Sequence, residues 1–368
     1  MKSLLMLLLL SLLCSAACAQ ENCEFIRVVA GSRTDKFCEV FAAEDGSMLA
    51  AGYTCSSDGD LSYRTKTGRS GWLCCLDEQG NVLWNFCSRN SQNDEILAPV
   101  KHDNGTITVL LRSDGYEYNQ LDLIHLSGEG KQIDRKTLFK LSQEEAHCML
   151  MGPKAFAGGY IVDVFQHSKS YEPVYHWFDF DGNLLKTSSG ISRDSIAAVS
   201  ENHIIEAHDG AFWLCVIDKT GKDTPVCRLP EGIQYFGLAS LEHGGAAVCG
   251  GRVDDEGRMG LFVVYDAAGN RVAAFRFEGY IPEKVLPCEN GYVISAVQHG
   301  GERILFHMTE DGTVTAEREL KFSASSYYPY IAHMPDGRVV FASSKLGNKT
   351  EDSDTVNYDA VFQMFDLR

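Results

Sequence analysis

Beyond residue 20 no stretch of the 368-residue chain approaches 18 uninterrupted apolar residues, so no membrane-spanning helix is expected there. Long segments of 3.6-residue apolar period with caps are also missing, which speaks against a helical core. The sequence contains no C-x-x-C pair of the kind that holds zinc. The G-x-S-x-G elbow, H-E-x-x-H, the phosphate-binding loop and the dinucleotide fingerprint are absent too. Positive charge is scarce, with 33 Lys and Arg against 50 Asp and Glu and a net charge of −17. That balance repels nucleic acid and anionic headgroups, and neither is expected as a partner.

What is present begins with a leader. Lys2, the apolar run Leu4 to Leu13 and Ala17-Cys18-Ala19 have the three parts of an export signal. Two processing routes are open. Cleavage after Ala19 leaves a secreted chain with residues 1–19 as signal peptide. A lipoprotein signal ending at residue 17 makes Cys18 the lipidation site of a protein tethered to the cell envelope. Without Lys2, 32 basic side chains face 50 acidic ones, a net of −18. Of 13 cysteines, Cys14 and Cys18 lie in the leader. Cys74, Cys75, Cys215 and Cys249 fall in apolar strand-like runs, where a thiol behaves as a small hydrophobe. Adjacent Cys74 and Cys75 point to opposite faces of a strand. Mostly reduced core thiols are expected, and bridges among Cys23, Cys38, Cys55, Cys87 and Cys288 stay open.

A phrase of apolar residues, Asp, a Gly turn and a second apolar run recurs at Trp72–Trp84, His176–Leu185, Phe212–Lys222, Leu261–Val272 and Ile304–Thr315. Between its copies lie hairpins of small and β-branched residues, as in Phe41–Gly52, Ser240–Gly251 and Leu286–Val297. Turn glycines are expected at Gly46, Gly105, Gly159, Gly245, Gly291 and Gly337 in one series. The second series runs Gly80, Gly130, Gly182, Gly221, Gly269 and Gly312. In the copy that lacks the first glycine, Val199–Ala207, Asn202 is expected to take the positive φ. Four short strands per unit, seven times over, make an all-β chain: a seven-bladed β-propeller of four-stranded antiparallel blades over residues 22–368. The last unit stops at Ala360–Arg368 without its outer strand, while Cys23–Ala30 has no hairpin partner. The N-terminal strand is therefore expected to close the last blade and remove an exposed edge.

From Asp77 to Trp84 the Asp-x-x-Gly-x-x-x-Trp stretch resembles the repeats of bacterial quinoprotein-dehydrogenase-like and WD40-like propellers. It is still more similar to bacterial secreted propeller-repeat proteins. The resemblance implies a structural repeat, and it covers nearly all of the chain after the leader. The quinone-binding enzymes of that group hold a cofactor near calcium, through contacts that have no counterpart here. No cofactor is expected.

No residues form a catalytic set. Asp179 and Asp181 stand two apart, on one face of a strand, but belong to the turn phrase. Ser57-Asp58-Gly59-Asp60 and Asp352-Ser353-Asp354 are rich in oxygen without the spacing of a calcium loop. His203 and His208 are five apart with no third ligand evident, and no metal site is expected. In a propeller, the connections between second and third strands share one face with those between blades. Tyr53–Ser70, Arg112–Gln120, Gln166–Pro173, Arg252–Met259 and Ser343–Tyr358 read as long loops there. They place Tyr63, Arg64, Tyr116, Tyr118 and Tyr171 beside Tyr327, Tyr328 and Tyr330. Tyr63, Arg64, Tyr116, Tyr118, Tyr171 and Tyr328 are the candidate binding residues, because Tyr offers a flat apolar body with a hydrogen-bonding tip. The expectation is a secreted or surface-tethered monomer that binds a protein, peptide or glycan at the cell surface without catalysis. The alternative is an extracellular enzyme acting on saccharides or through a bound redox cofactor.

Overall fold

The computed structural model describes residues 23–62, 68–88, 93–115, 118–142, 154–165, 173–189, 196–208, 210–254, 257–298, 301–320, 330–346 and 358–366. Strand β1 is Cys23–Val29. Blade 1 follows as β2 (Asp35–Ala42), β3 (Met48–Thr54), β4 (Ser70–Leu76) and β5 (Val82–Cys87). Blade 2 is β6 (Asn93–Lys101), β7 (Ile107–Asp114), β8 (Tyr118–Leu126) and β9 (Gln132–Ser142). Blade 3 is β10 (Lys154–Phe156), β11 (Gly159–Phe165), β12 (Pro173–Asp179) and β13 (Leu184–Ser189). Blade 4 is β14 (Ile196–Val199), β15 (His203–His208), β16 (Ala211–Ile217) and β17 (Asp223–Arg228). Blade 5 is β18 (Gln234–Ser240), β19 (Ala246–Asp254), β20 (Gly257–Tyr265) and β21 (Arg271–Glu278). Blade 6 is β22 (Tyr280–Cys288), β23 (Gly291–Gln298), β24 (Arg303–Met308) and β25 (Val314–Glu319). Blade 7 takes β26 (Tyr330–His333), β27 (Val339–Leu346) and β28 (Tyr358–Phe365), and its fourth strand is β1.

Closure follows the pattern that the two chain ends announce. β1 runs antiparallel to β28, with Arg27 opposite Phe362 and Val29 opposite Ala360. The exit from β1 is then tied down by blade 1. Asp58 Oδ1 accepts a hydrogen bond from the Ser32 amide at 2.7 Å, and Asp60 Oδ2 accepts one from Ala30 at 3.2 Å. Asp35 Oδ2 accepts from the Gly31 amide at 2.8 Å. The oxygen-rich run at 57–60 is therefore a clasp for the N-terminal segment. The single-turn helix Gly59–Leu61 within it buries Leu61 completely.

Among the described residues the buried side chains form seven clusters, and each joins two neighbouring blades. Strand alternation explains this, because successive side chains face opposite neighbours. Cys74 packs toward blade 7 with Trp72 and Phe362, whereas Cys75 packs toward blade 2 with Ile107 and Leu126. Cys215 and Cys249 are likewise fully buried between blades. Cys38, Cys55, Cys87 and Cys288 are unbridged thiols.

Three local expectations need correction. In the first turn of blade 5 the residue with positive φ is Gly244, at +79°, while Gly245 follows it against the Tyr265 carbonyl. Asn202 does not take a positive φ, because the short turn from Val199 to His203 closes with the Ser200 amide donating to the His203 carbonyl at 2.9 Å. Arg112–Gln120 and Arg252–Met259 are largely strand: β7–β8 and β19–β20 run on as paired hairpins, leaving connections at 115–117 and 255–256. Continued backbone pairing satisfies polar groups that a long loop would leave to water.

Candidate functional site

The ends of the ring differ in construction. At one end lie the connections from first to second and from third to fourth strands, each two to five residues long. The repeated Asp works here as a turn staple. Asp77 Oδ1 accepts from the amides of Gln79 and Asn81 at 3.0 and 2.7 Å, and its Oδ2 accepts from Asn81 Nδ2 at 2.9 Å. Asp179 repeats this with Asp181 and Asn183, and Asp266 with Ala268 and Asn270. Those hydrogen bonds hold the Asp77 and Asp266 carboxyls below the ordinary range. Asp179 is thus committed to its turn and Asp181 sits within it.

The glycine of each phrase has a second task. The Gly130 position, at φ +75°, receives the Trp84 indole of the preceding blade, whose Nε1 donates to the Gly128 carbonyl at 2.9 Å. Phe275 covers Gly312 in the same way. The phrase is blade-to-blade carpentry, and chemistry must be sought at the other end.

That end carries the long connections, at 55–69, 143–153 and 347–357. Among the described residues there, a concentrated polar group joins blades 1 and 2. A register shift between Phe37 and Glu39 leaves Cys38 outside the β2–β3 ladder, where its thiol donates to Glu95 Oε1 at 2.8 Å. Arg69 Nη2 donates to Glu95 Oε2 at 2.8 Å, and Arg112 donates to the same oxygen. The Arg69 guanidinium lies 3.7 Å from the centroid of the Tyr53 ring, a cation–π contact. Burial pushes the Tyr53 phenol up to about 12, so it stays a neutral hydrogen-bonding group. Burial and the Glu95 carboxylate push the Cys38 thiol well above its usual value, which rules against a thiolate nucleophile. Two guanidinium groups share the Glu95 carboxylate, and Arg112 Nε also lies 3.6 Å from Asp114 Oδ2, so the group is a network of two cations and two anions.

Other charged groups belong to the inner strands. Glu39, raised by burial, accepts from the amide of Ala98, the residue at φ +49° in the β6 irregularity between Leu97 and Val100. Arg303 Nε donates to Glu283 at 3.3 Å. Asp163 on β11 is pushed up to about 6 by burial, and its Oδ1 accepts no hydrogen bond. The buried Asp35, Asp94 and Asp122 have side-chain partners: Thr54 and Ser56, Ser88 at Oδ2 alone, and Arg135 with Thr137.

Of the residues singled out from sequence, Cys18, Tyr63, Arg64, Tyr116, Tyr171, Tyr327, Tyr328 and Asp352–Asp354 lie outside the described residues. Tyr118 opens β8 in blade 2, with Lys140 Nζ 4.1 Å from its ring centroid. Tyr330 opens β26 and packs against the cluster between blades 7 and 1. His203 is buried, with Nδ1 2.9 Å from Ser240 Oγ. His208 ends the same strand, 3.1 Å from a Glu206 oxygen. Sequence reasoning passed over Arg69, Glu95 and Arg112, which only the packing of blade 1 on blade 2 brings together.

No family model matches the chain, and no curated protein does. Solved structures match in fold. A catalytically inactive virginiamycin B lyase from Staphylococcus aureus with quinupristin is 10% identical, with a TM-score of 0.53 over 93% of this chain and 99% of that one. The selenomethionine-substituted virginiamycin B lyase from the same organism is 9% identical over the same shares, also at 0.53. The β-propeller domain of the Trilobed protease from Pyrococcus furiosus is 8% identical, at 0.52 over 91% and 94%. That domain is described as having an open velcro topology, whereas here β1 pairs with β28. At such identities the likeness establishes the β-propeller fold alone.

Proposed function

We propose that the protein is an exported or envelope-tethered binding module whose loop-bearing end holds a protein, peptide or glycan partner. The carrying observation is the Arg69–Glu95–Arg112 group beside Tyr53, at the end of the ring that also holds the long connections. Paired guanidinium groups and a phenol ring offer planar hydrogen-bonding groups beside a flat apolar surface, which suits polar and aromatic groups on a ligand. The opposite end offers turns whose repeated aspartates Asp77, Asp179 and Asp266 are already committed to backbone amides.

A catalytic reading draws on two points. A lyase is among the similar structures, and Asp163 has a carboxyl pushed up to about 6, a range that suits general acid–base work. Screening the processed protein against cell-envelope glycans and proteins separates the two. The binding reading expects a saturable partner whose affinity falls at least 10-fold in Arg69→Gln and Arg112→Gln, while Lys219→Glu at the stapled end has no effect. It fails if no partner binds, or if Lys219→Glu is the variant that matters. Turnover of a bound saccharide that disappears in Asp163→Asn would favour the enzyme instead.

A further inference from the structure

We infer that blade 4 carries a transition-metal site of the zinc class, formed by Glu206, His208 and Cys215 at the loop-bearing end of the ring. Glu206 and His208 are two apart on β15 and so share one face. Cys215 on β16 pairs with Ile204, and Trp213 pairs with Glu206, which puts the thiol on that same face one pair deeper. The donor atoms of the three side chains all lie within 4.8 Å of one another. His208 Nε2 is 3.1 Å from Glu206 Oε1, yet that buried oxygen accepts no hydrogen bond of acceptable geometry. A cation between the three would satisfy it.

The donor chemistry selects the metal. One sulfur, one imidazole nitrogen and one carboxylate oxygen suit Zn²⁺, whereas calcium and magnesium require oxygen ligands. Zinc bonds of roughly 2.0–2.3 Å in a tetrahedron set donors roughly 3–4 Å apart, so small side-chain adjustments suffice. Binding forms a Zn–S bond and breaks the Cys215 S–H bond, releasing one proton to solvent. The hairpin that carries the ligands closes with His208 opposite Ala211, leaving two residues in the connection. A tight hairpin fixes ligand positions better than a long loop would. Cys215 is fully buried, Glu206 has 14% of its side chain exposed and His208 45%, so the site deepens from an open histidine to an enclosed sulfur. Three protein donors leave one coordination position for water or a group from outside. The inference does not depend on the partner proposed above.

The test is cobalt and zinc titration of the full processed chain, stripped of metal and kept reduced. One Co²⁺ per chain should bind with a near-ultraviolet sulfur-to-metal charge-transfer band and the visible intensity of a tetrahedral site, and Zn²⁺ should displace it. Cys215→Ser should abolish the band while the far-ultraviolet circular dichroism remains that of a folded β protein. His208→Asn, at the exposed end of the site, should weaken Zn²⁺ by more than the ~10–100-fold that loss of a hydrogen-bond partner behind a metal ligand costs. Cys55→Ser and Cys87→Ser should leave both metals unaffected. Absence of the band in folded wild type, its survival in Cys215→Ser, or wild-type zinc affinity in His208→Asn would overturn the assignment.

Discussion

Replacing Gly130 by Ala tests whether the repeated glycine is a socket between blades. The backbone there has φ +75°, and an added Cβ would fall under 3.0 Å from three carbons of the Trp84 indole. Two costs combine. A left-handed conformation disfavours Ala by about 1–2 kcal/mol. Overpacking against a ring held in place adds about 1–3 kcal/mol, since Trp84 is fixed by its hydrogen bond to the Gly128 carbonyl. Gly130→Ala should therefore destabilise by about 2–5 kcal/mol. In a Trp84→Ala background the collision is gone and only the backbone cost of about 1–2 kcal/mol remains. Urea unfolding of the four proteins in this cycle, followed by tryptophan fluorescence and circular dichroism, measures the coupling. Equal cost of Gly130→Ala in both backgrounds would refute the socket, as would a cost below the backbone contribution alone.

Two further outcomes follow from the structure. Burial raises the Asp163 carboxyl to about 6, so its protonated form is favoured in the folded chain, and stability falls as the pH rises from about 4 through 6. Asp163→Asn removes that dependence: by urea midpoints it should be more stable than wild type at pH 8, by up to about 3 kcal/mol, with the gap closing at pH 4. An equal gap at both pH values would count against the assignment. Truncation before Gly31 should bare the β28 edge and produce dimers or larger species on size exclusion, with the monomer restored by a peptide of residues 23–29; a truncated chain that stays monomeric and equally stable would show the clasp to be dispensable.

The architecture was legible because its signals are local and repeated. Every expected glycine of the second series, from Gly80 to Gly312, has positive φ, and the unpaired Cys23–Ala30 meets the incomplete last blade as its pattern requires. Where turn chemistry was degenerate the expectation slipped by a residue, as with Gly244 and Gly245, since either member of a Gly pair can turn the chain. The extended hairpins were missed because Arg112-Ser113-Asp114 buries a polar residue and Arg252-Val253 exposes an apolar one, which spoils the alternation that marks a strand. Arg69 ends the connection before β4, Glu95 lies on β6 and Arg112 on β7, and the three carry no spacing that predicts their meeting. Glu206, His208 and Cys215 could have been found: once the turn at 209–210 is recognised, counting back across the hairpin puts all three on one face.

The clasp between β1 and β28 also dictates a timetable for synthesis. Strand β1 is made first and its partner last, with roughly 340 residues between them, so translation at roughly 5–20 residues per second separates the two by roughly 20–70 s. For that interval β1 has no mate of its own, while earlier blades can assemble in order behind it. Ring formation therefore waits on β28: the toroid cannot be sealed before that strand exists, and a helper that shields β1 until then would govern yield.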